Sequence, residues 1–156
     1  MPHTAFIGLG SNLEDPGGQL QRAFADLDAL PDTRLVARSS LYRSAPVGYL
    51  DQPDFVNAVA RLETGLTPQD LLKSLLNIEY VHGRERTFRN APRTLDLDLL
   101  LYGSGRIASA RLQVPHARMA QRAFVLVPLA EIAPHLVSSD QLQAVAGQTL
   151  TRLPPR

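Results

Sequence analysis

The stretch Thr94-Leu95-Asp96-Leu97-Asp98-Leu99-Leu100-Leu101-Tyr102 constrains this chain more than any other, because its alternation of leucine and aspartate suits one backbone geometry. Side chains leave a β-strand on opposite faces with a period of two. The spacing predicts a strand over 94–102, with Leu95, Leu97, Leu99 and Leu101 turned into a core. Asp96 and Asp98 then stand side by side on the other face, roughly 7 Å apart at their α-carbons by strand rise. Two carboxylates on one face repel each other and lose hydration unless something offsets them. A divalent cation offsets both, and oxygen donors without histidine or cysteine suit magnesium, which keeps waters and shares substrate phosphates. For a bare D-x-D the open alternative is a solvated sheet face paired with arginines.

The rest of the chain supplies partners for that strand. Residues 4–9 are apolar and partly β-branched, and Gly10-Ser11-Asn12 ends them: a first strand. Leu20, Ala23, Phe24, Leu27 and Leu30 have helical spacing and predict a helix over 16–30. A second strand is expected over 35–43, then a loop over 44–54 broken by Pro46, Gly48 and Pro53, then a third strand over 55–63. Thr67 reads as the cap of a second helix, with Pro68 at its first position and Asp70 in its first turn. That helix turns Leu71, Leu72, Leu75, Ile78 and Val81 inward and stops at Gly83. After the fourth strand an extended piece leads to Val114-Pro115-His116, and a helical segment over 117–132 is expected to break near Pro128. Signals beyond Pro134 are weak. The order β-α-β-β-α-β predicts an α+β fold: a ferredoxin-like antiparallel sheet flanked by helices, with C-terminal additions. No repeat or linker divides residues 1–156, so one domain is expected.

Composition narrows the classes. With 44% apolar residues the chain can build a core, and with no cysteine it can form neither disulfides nor thiolate metal sites. A net charge of +1 gives no argument for nucleic acid or a membrane as partner. The N-terminus has no charged region, and its apolar run is too short for a signal or a span, so a cytoplasmic protein is expected. Lys73 is the only lysine, whereas Arg84, Arg86, Arg89 and Arg93 crowd the approach to the aspartates. Guanidinium forks suit phosphate oxygens. Arginines and a cation sharing one polyphosphate are what phosphoryl transfer needs, since its catalysis is mostly positioning and charge neutralisation. Gly8-Leu9-Gly10 has Leu13 where a dinucleotide fingerprint needs a third glycine, and no P-loop or protein-kinase motif occurs. The histidines lack zinc-ligand spacing. His3, His82 and His135 read as surface or cap residues, whereas His116 follows Val114-Pro115 on a loop expected to face the arginines.

Pro92-Arg93-Thr94-Leu95-Asp96-Leu97-Asp98 resembles the signature of the 6-hydroxymethyl-7,8-dihydropterin pyrophosphokinase family of folate biosynthesis. Further blocks follow in family order: Gly10-Ser11-Asn12-Leu13, Ser39-Ser40-Leu41-Tyr42-Arg43-Ser44, Asp51-Gln52-Pro53-Asp54-Phe55-Val56-Asn57-Ala58, Ile78-Glu79, Gly83-Arg84-Glu85-Arg86, Val114-Pro115-His116 and Gln121-Arg122-Ala123-Phe124. The resemblance implies a ferredoxin-like fold and conversion of ATP and a pterin alcohol to AMP and the pterin pyrophosphate, with a pair of magnesium ions. By position, Asp96 and Asp98 are similar to the paired magnesium ligands. Arg84 and Arg93 resemble the loop arginines that engage the phosphates. Arg86, His116 and Arg122 match further ATP-contacting positions, and Glu79 a position near the nucleotide. On the pterin side, Asn57 looks like the amide that hydrogen-bonds the ring, and Phe55 and Phe124 like the aromatic pair stacking on its two faces. Ser44, Ala45 and Val47 lie where the family's loop closes over the pterin. Leu76, Thr87 and Asn90 depart from residues found in some members and put adenine contacts and loop details in doubt. The expected partners are the two small substrates, with no nucleic acid and no membrane, and a monomer is expected. Rival readings are a ferredoxin-like RNA-binding module, a magnesium phosphohydrolase, and an inactive relative kept for interaction.

Overall fold

A computed structural model describes residues 2–12, 15–45, 53–83, 95–109 and 112–155. Its elements run β1 (His3–Ser11), α1 (Pro16–Asp28), β2 (Thr33–Arg38), β3 (Tyr42–Ser44), β4 (Phe55–Thr64), α2 (Pro68–Val81) and β5 (Asp96–Tyr102). There follow β6 (Ile107–Ala108), β7 (Gln113–Val114), α3 (Ala123–Ile132), α4 (Ser139–Ala144) and β8 (Leu150–Arg152), with short 3-10 turns at Met119–Gln121 and Pro134–Leu136. The main sheet is antiparallel in the order β5-β1-β4-β3-β8, and β2 pairs with β4 beyond β3 along the same edge. This is the expected ferredoxin-like order, extended at one side by β8.

The two helices of the repeat cover one face. Leu20, Ala23, Phe24 and Leu27 of α1, with Leu71, Leu75 and Ile78 of α2, pack on Ala5, Ile7, Leu9, Val56, Ala58, Ala60, Leu62, Leu97 and Leu99 of the sheet. Both helices begin as capping rules require. Asp15 accepts from the Gly18 N–H and Thr67 from the Asp70 N–H, each just before a proline in the first turn. The opposite face is covered by α3, the turn after it and α4, through Leu126, Leu129, Val137 and Val145 packed on Phe6, Val59 and Leu100.

Several expectations need correction. The alternation of β5 holds from Leu95 to Leu99 and then breaks. Phe6 pairs with Leu101 but Ile7 with Leu99, so Leu100 is an extra residue. Such a bulge turns the side chains beyond it to the other face: Leu100 and Leu101 join the α3 side, and Tyr102 packs with the α1–α2 side. The single strand expected over 35–43 is two strands. Between them Ser39 makes its own ladder to β4: its N–H donates to the Val59 carbonyl and its hydroxyl accepts from the Val59 N–H. Val81, the last residue of α2, is exposed and does not join the core. The segment expected to be helical over 117–132 is a 3-10 turn at Met119–Gln121 and α-helical only from Ala123, since Arg122 is extended (φ −125°, ψ 115°). From there the helix runs unbroken through the buried Pro128. The C-terminal helix α4, closed by a Ser138–Gln141 capping box, and β8 were not anticipated from the weak signals there.

Candidate active site

The α3 layer covers only part of its face. Past Phe6, β1 presents Gly8 and Gly10 on that side, which pair with Asp98 and Asp96 of β5. With no side chains of their own, the two glycines form a buried floor between the acidic strand and β4, Gly8 beneath the Leu100 side chain and Gly10 beside Asn57. Asp96 and Asp98 stand half-exposed along it, opposite in direction to buried Leu95, Leu97 and Leu99, as the alternation predicts. Gly10 is closely packed: a β-carbon there would lie 3.1 Å from Asn57 Oδ1 and 3.9 Å from the Phe55 ring.

Across Gly10, β4 supplies Asn57 and Phe55, and β3 supplies Tyr42 and Ser44 in register with them. Asn57 is buried, and its Nδ2 donates to Ser44 Oγ at 2.7 Å. That bond fixes which way the amide faces, leaving Oδ1 toward Gly10. Asn12 Nδ2 donates to the Pro53 carbonyl at 3.2 Å and ties the end of β1 to the chain entering β4. Ala45, just after β3, is exposed.

His116 reaches the acidic strand from the other side. It follows a cis Val114–Pro115 bond, and its N–H donates to the Leu100 carbonyl at 2.9 Å, the residue doubled by the bulge. Its Nε2 lies 3.9 Å from Asp98 Oδ1. The Arg118 N–H donates to Nδ1 at 3.3 Å, which places the neutral ring's proton on Nε2, facing Asp98. Burial pushes the imidazole below its ordinary pKa, and the Arg122 and Arg118 cations push the same way against the opposing charge of Asp96. A neutral donor is therefore favoured at this position. The Arg122 guanidinium lies 5.3 Å over the Phe124 ring, a cation–π contact at the start of α3.

Glu79, which the resemblance sets near the nucleotide, bonds the backbone of the acidic strand. It is 2% exposed, and its Oε2 accepts from the Leu97 N–H at 2.7 Å. Its carboxylate thus grips the main chain of the strand between the two aspartates from the outer edge of β5.

Among the sequence-selected residues, the structure brings Asp96, Asp98 and His116 together, and Ser44, Phe55 and Asn57 into one patch across Gly10. Arg122 and Phe124 pair with each other beside His116. Val47, Arg84, Arg86 and Arg93 lie outside the described residues, as do Thr87 and Asn90. Of the other histidines, His82 is more than a surface cap: its ring bridges Gln19 Oε1 at 2.8 Å and Asp26 Oδ2 at 2.7 Å, locking α2 to α1. Sequence reading missed Glu131, which accepts from the Tyr42 hydroxyl at 2.6 Å and from the Ser40 hydroxyl and N–H. A lone carboxylate within the apolar run of α3 was the available signal. It also missed Gln148, for which no local signal exists.

The class of protein so defined is a ferredoxin-like α+β domain whose sheet carries half-exposed carboxylates on one strand and a buried amide beside Phe55 on another. Residues 6–134 match the family model for 7,8-dihydro-6-hydroxymethylpterin-pyrophosphokinase, and the chain belongs to that family. It is 53% identical over 140 residues to the 2-amino-4-hydroxy-6-hydroxymethyldihydropteridine pyrophosphokinase of Pseudomonas aeruginosa, covering 90% of this chain and 86% of that one. It is likewise 53% identical over 134 residues to the Haemophilus influenzae protein of the same name, covering 86% and 84%. Among solved structures it is similar to an HPPK-DHPS in complex with substrates (TM-score 0.67, 12% identity, 92% of this chain and 43% of that one). It is also similar to the wild-type HPPK-DHPS of Plasmodium falciparum with pterin and p-hydroxybenzoate (TM-score 0.66, 13% identity, 86% and 40%). These structural likenesses speak to the fold, and the chain spans about two fifths of those longer chains.

Proposed function

We propose that the open half of the sheet face is where the reaction of this family takes place, with Asp96 and Asp98 as its metal-binding wall and Ser44, Asn57, Phe55 and Phe124 as its pterin wall. The chain is an ATP-dependent pyrophosphokinase: it transfers the pyrophosphoryl group of ATP to the hydroxymethyl oxygen of 6-hydroxymethyl-7,8-dihydropterin, giving AMP and the pterin pyrophosphate, in folate biosynthesis. The observation that carries the site is the pair of half-exposed carboxylates side by side above the Gly8–Gly10 floor.

The donor chemistry fits magnesium. Both groups are hard oxygen donors on one rigid strand. Magnesium prefers such a partial set, completing its shell with water and substrate phosphate. A pair of ions held by Asp96 and Asp98 would neutralise phosphate charge and hold the triphosphate for in-line attack at the β-phosphorus. The protein's own groups do the rest. His116, with its proton on Nε2, donates toward phosphate oxygen, and the Arg122 cation stands beside it. Arg84, Arg86 and Arg93 add guanidinium forks to the phosphates, Arg84 and Arg93 serving transfer itself. Asn57 reads the pterin edge with its amide, and Phe55 and Phe124 stack on the ring faces. Ser44, Ala45 and Val47 close the same end. Glu79 serves the nucleotide side through the strand it holds. A loose transition state needs no strong general base, and none is assigned.

One domain carries this activity, acting as a monomer in the cytoplasm on two small substrates, without nucleic acid or membrane. No helix among the described residues is long and apolar enough to cross a bilayer. Incubation with ATP, magnesium and the pterin alcohol should yield AMP and pyrophosphorylated pterin in equal amounts, and chelation of the metal should stop both. Inorganic phosphate as the main product would instead indicate hydrolysis and overturn the reading.

A further inference from the structure

The first turn of a helix leaves backbone N–H groups without intrahelical partners, and a capping side chain ordinarily accepts from one of them. Helix α3 has no such cap of its own, because Arg122 stands at that position and makes no side-chain cap hydrogen bond. The partner comes instead from 25 residues further on: Gln148 Oε1 accepts from the Ala123 N–H at 2.9 Å. The same amide donates through Nε2 to the Gln121 carbonyl at 2.8 Å. One side chain therefore clasps the backbone on both sides of Arg122, using the separate donor and acceptor ends of its amide.

Two residues past Gln148 the chain enters β8, where Leu150 pairs with Ser44 and Arg152 with Tyr42. Residues 148–152 thus touch both sides of the pterin wall: the strand bearing Ser44, and the helix start bearing Phe124. We propose that Gln148 is a positioning residue for pterin binding, setting the start of α3 and hence the plane of the Phe124 ring. This rests on the assignment of Phe124 to the pterin wall made above. Phe124 is the second residue of α3, so its ring follows the backbone Gln148 holds. Arg122, with a long side chain, can recover its contact after a small backbone shift, whereas a stacked ring cannot.

The test uses Gln148→Met, which keeps length and removes both hydrogen bonds, beside Phe124→Ala and Ser138→Ala. The last removes the cap of α4 and lowers stability without touching the 121–123 backbone. Gln148→Met should raise KM for the pterin alcohol about tenfold, the scale of a sub-ångström misplacement, with kcat and KM for ATP changed no more than about twofold. Ser138→Ala should leave pterin KM unchanged at a temperature where all variants are folded. A normal pterin KM in Gln148→Met, while Phe124→Ala raises it, overturns the inference and leaves the site intact. An equal rise in Ser138→Ala also overturns it, since general loosening would then explain the effect. A normal pterin KM in Phe124→Ala overturns the site assignment on which it rests.

Discussion

The two faces of the sheet use the same strands for opposite ends. Toward α1 and α2, β1, β4 and β5 turn Ala5, Ile7, Leu9, Val56, Ala58, Ala60, Leu97 and Leu99 into a closed aliphatic layer. Toward α3, the same strands turn Phe6, Val59 and Leu100 under the helix, then bury Gly8, Gly10 and Asn57, and leave Asp96 and Asp98 half-exposed beside them. The closed face supplies folding free energy through buried apolar area; the open one holds carboxylates and a buried amide that contribute little to it and cost desolvation. A rigid strand can hold Asp96 and Asp98 in place because its other side is anchored by Leu95, Leu97 and Leu99.

That contrast breaks most sharply at Asp98. Asp98→Ala should lower turnover by at least about 10²- to 10³-fold, the scale of losing one charge-stabilising group, while the urea midpoint stays within experimental scatter. Near-normal AMP production by this variant would remove the site assignment. The mirror-image substitution is Leu27→Ala on the closed face, where the side chain is fully buried. It should cost about 2–5 kcal/mol in urea unfolding and leave kcat of the folded fraction unchanged.

A subtler variant is Gly10→Ala. Its new methyl would crowd Asn57 Oδ1 at 3.1 Å, and the Ser44 bond restrains that amide from yielding. We expect pterin KM to rise about threefold to tenfold with ATP KM little changed, measured in steady state.

The smallest effects should come from the latch that ties Glu131 of α3 to Ser40 and Tyr42 at the β3 edge. Burial works to raise the Glu131 carboxyl, but hydrogen bonds from Tyr42 and Ser40 and the Arg152 charge outweigh it and leave the pKa below its ordinary value. A depressed carboxyl pKa stabilises the fold above the unfolded value, and that contribution disappears as pH falls through the folded value. Tyr42 behaves oppositely. Burial and then Glu131 push it up to about 12, so its contribution is complete below pH 10 and lost as pH rises toward 12. Tyr42→Phe should cost about 1 kcal/mol and flatten the alkaline limb of a thermal-stability profile. An unchanged limb would show that the latch does not couple to folding.

Much of the closed face was legible in the sequence, because period-two and period-3.6 patterns and capped helix starts are local signals. The pattern at Leu95 to Leu99 located both the core side of β5 and the acidic side. It failed at Leu99-Leu100-Leu101, where three identical residues give no alternation to show which one is doubled. The strand break at Ser39 and Ser40 was equally hidden, since a serine that pairs with both polar groups of Val59 looks like any other serine. On the open face the aspartates declared themselves, but Asn57, Phe55 and Phe124 were selected only by family resemblance. Their surroundings depend on pairing between distant segments. Gln148 is the extreme case, an exposed amide whose partners lie more than 20 residues away.

Glu79 has one more consequence. The strand that carries the aspartates is the outermost of the sheet, with no further strand beside it among the described residues. Such a margin offers unpaired main-chain groups to any passing extended peptide. A buried carboxylate already seated on the Leu97 N–H denies an intruding strand that one anchor, between the two half-exposed aspartates.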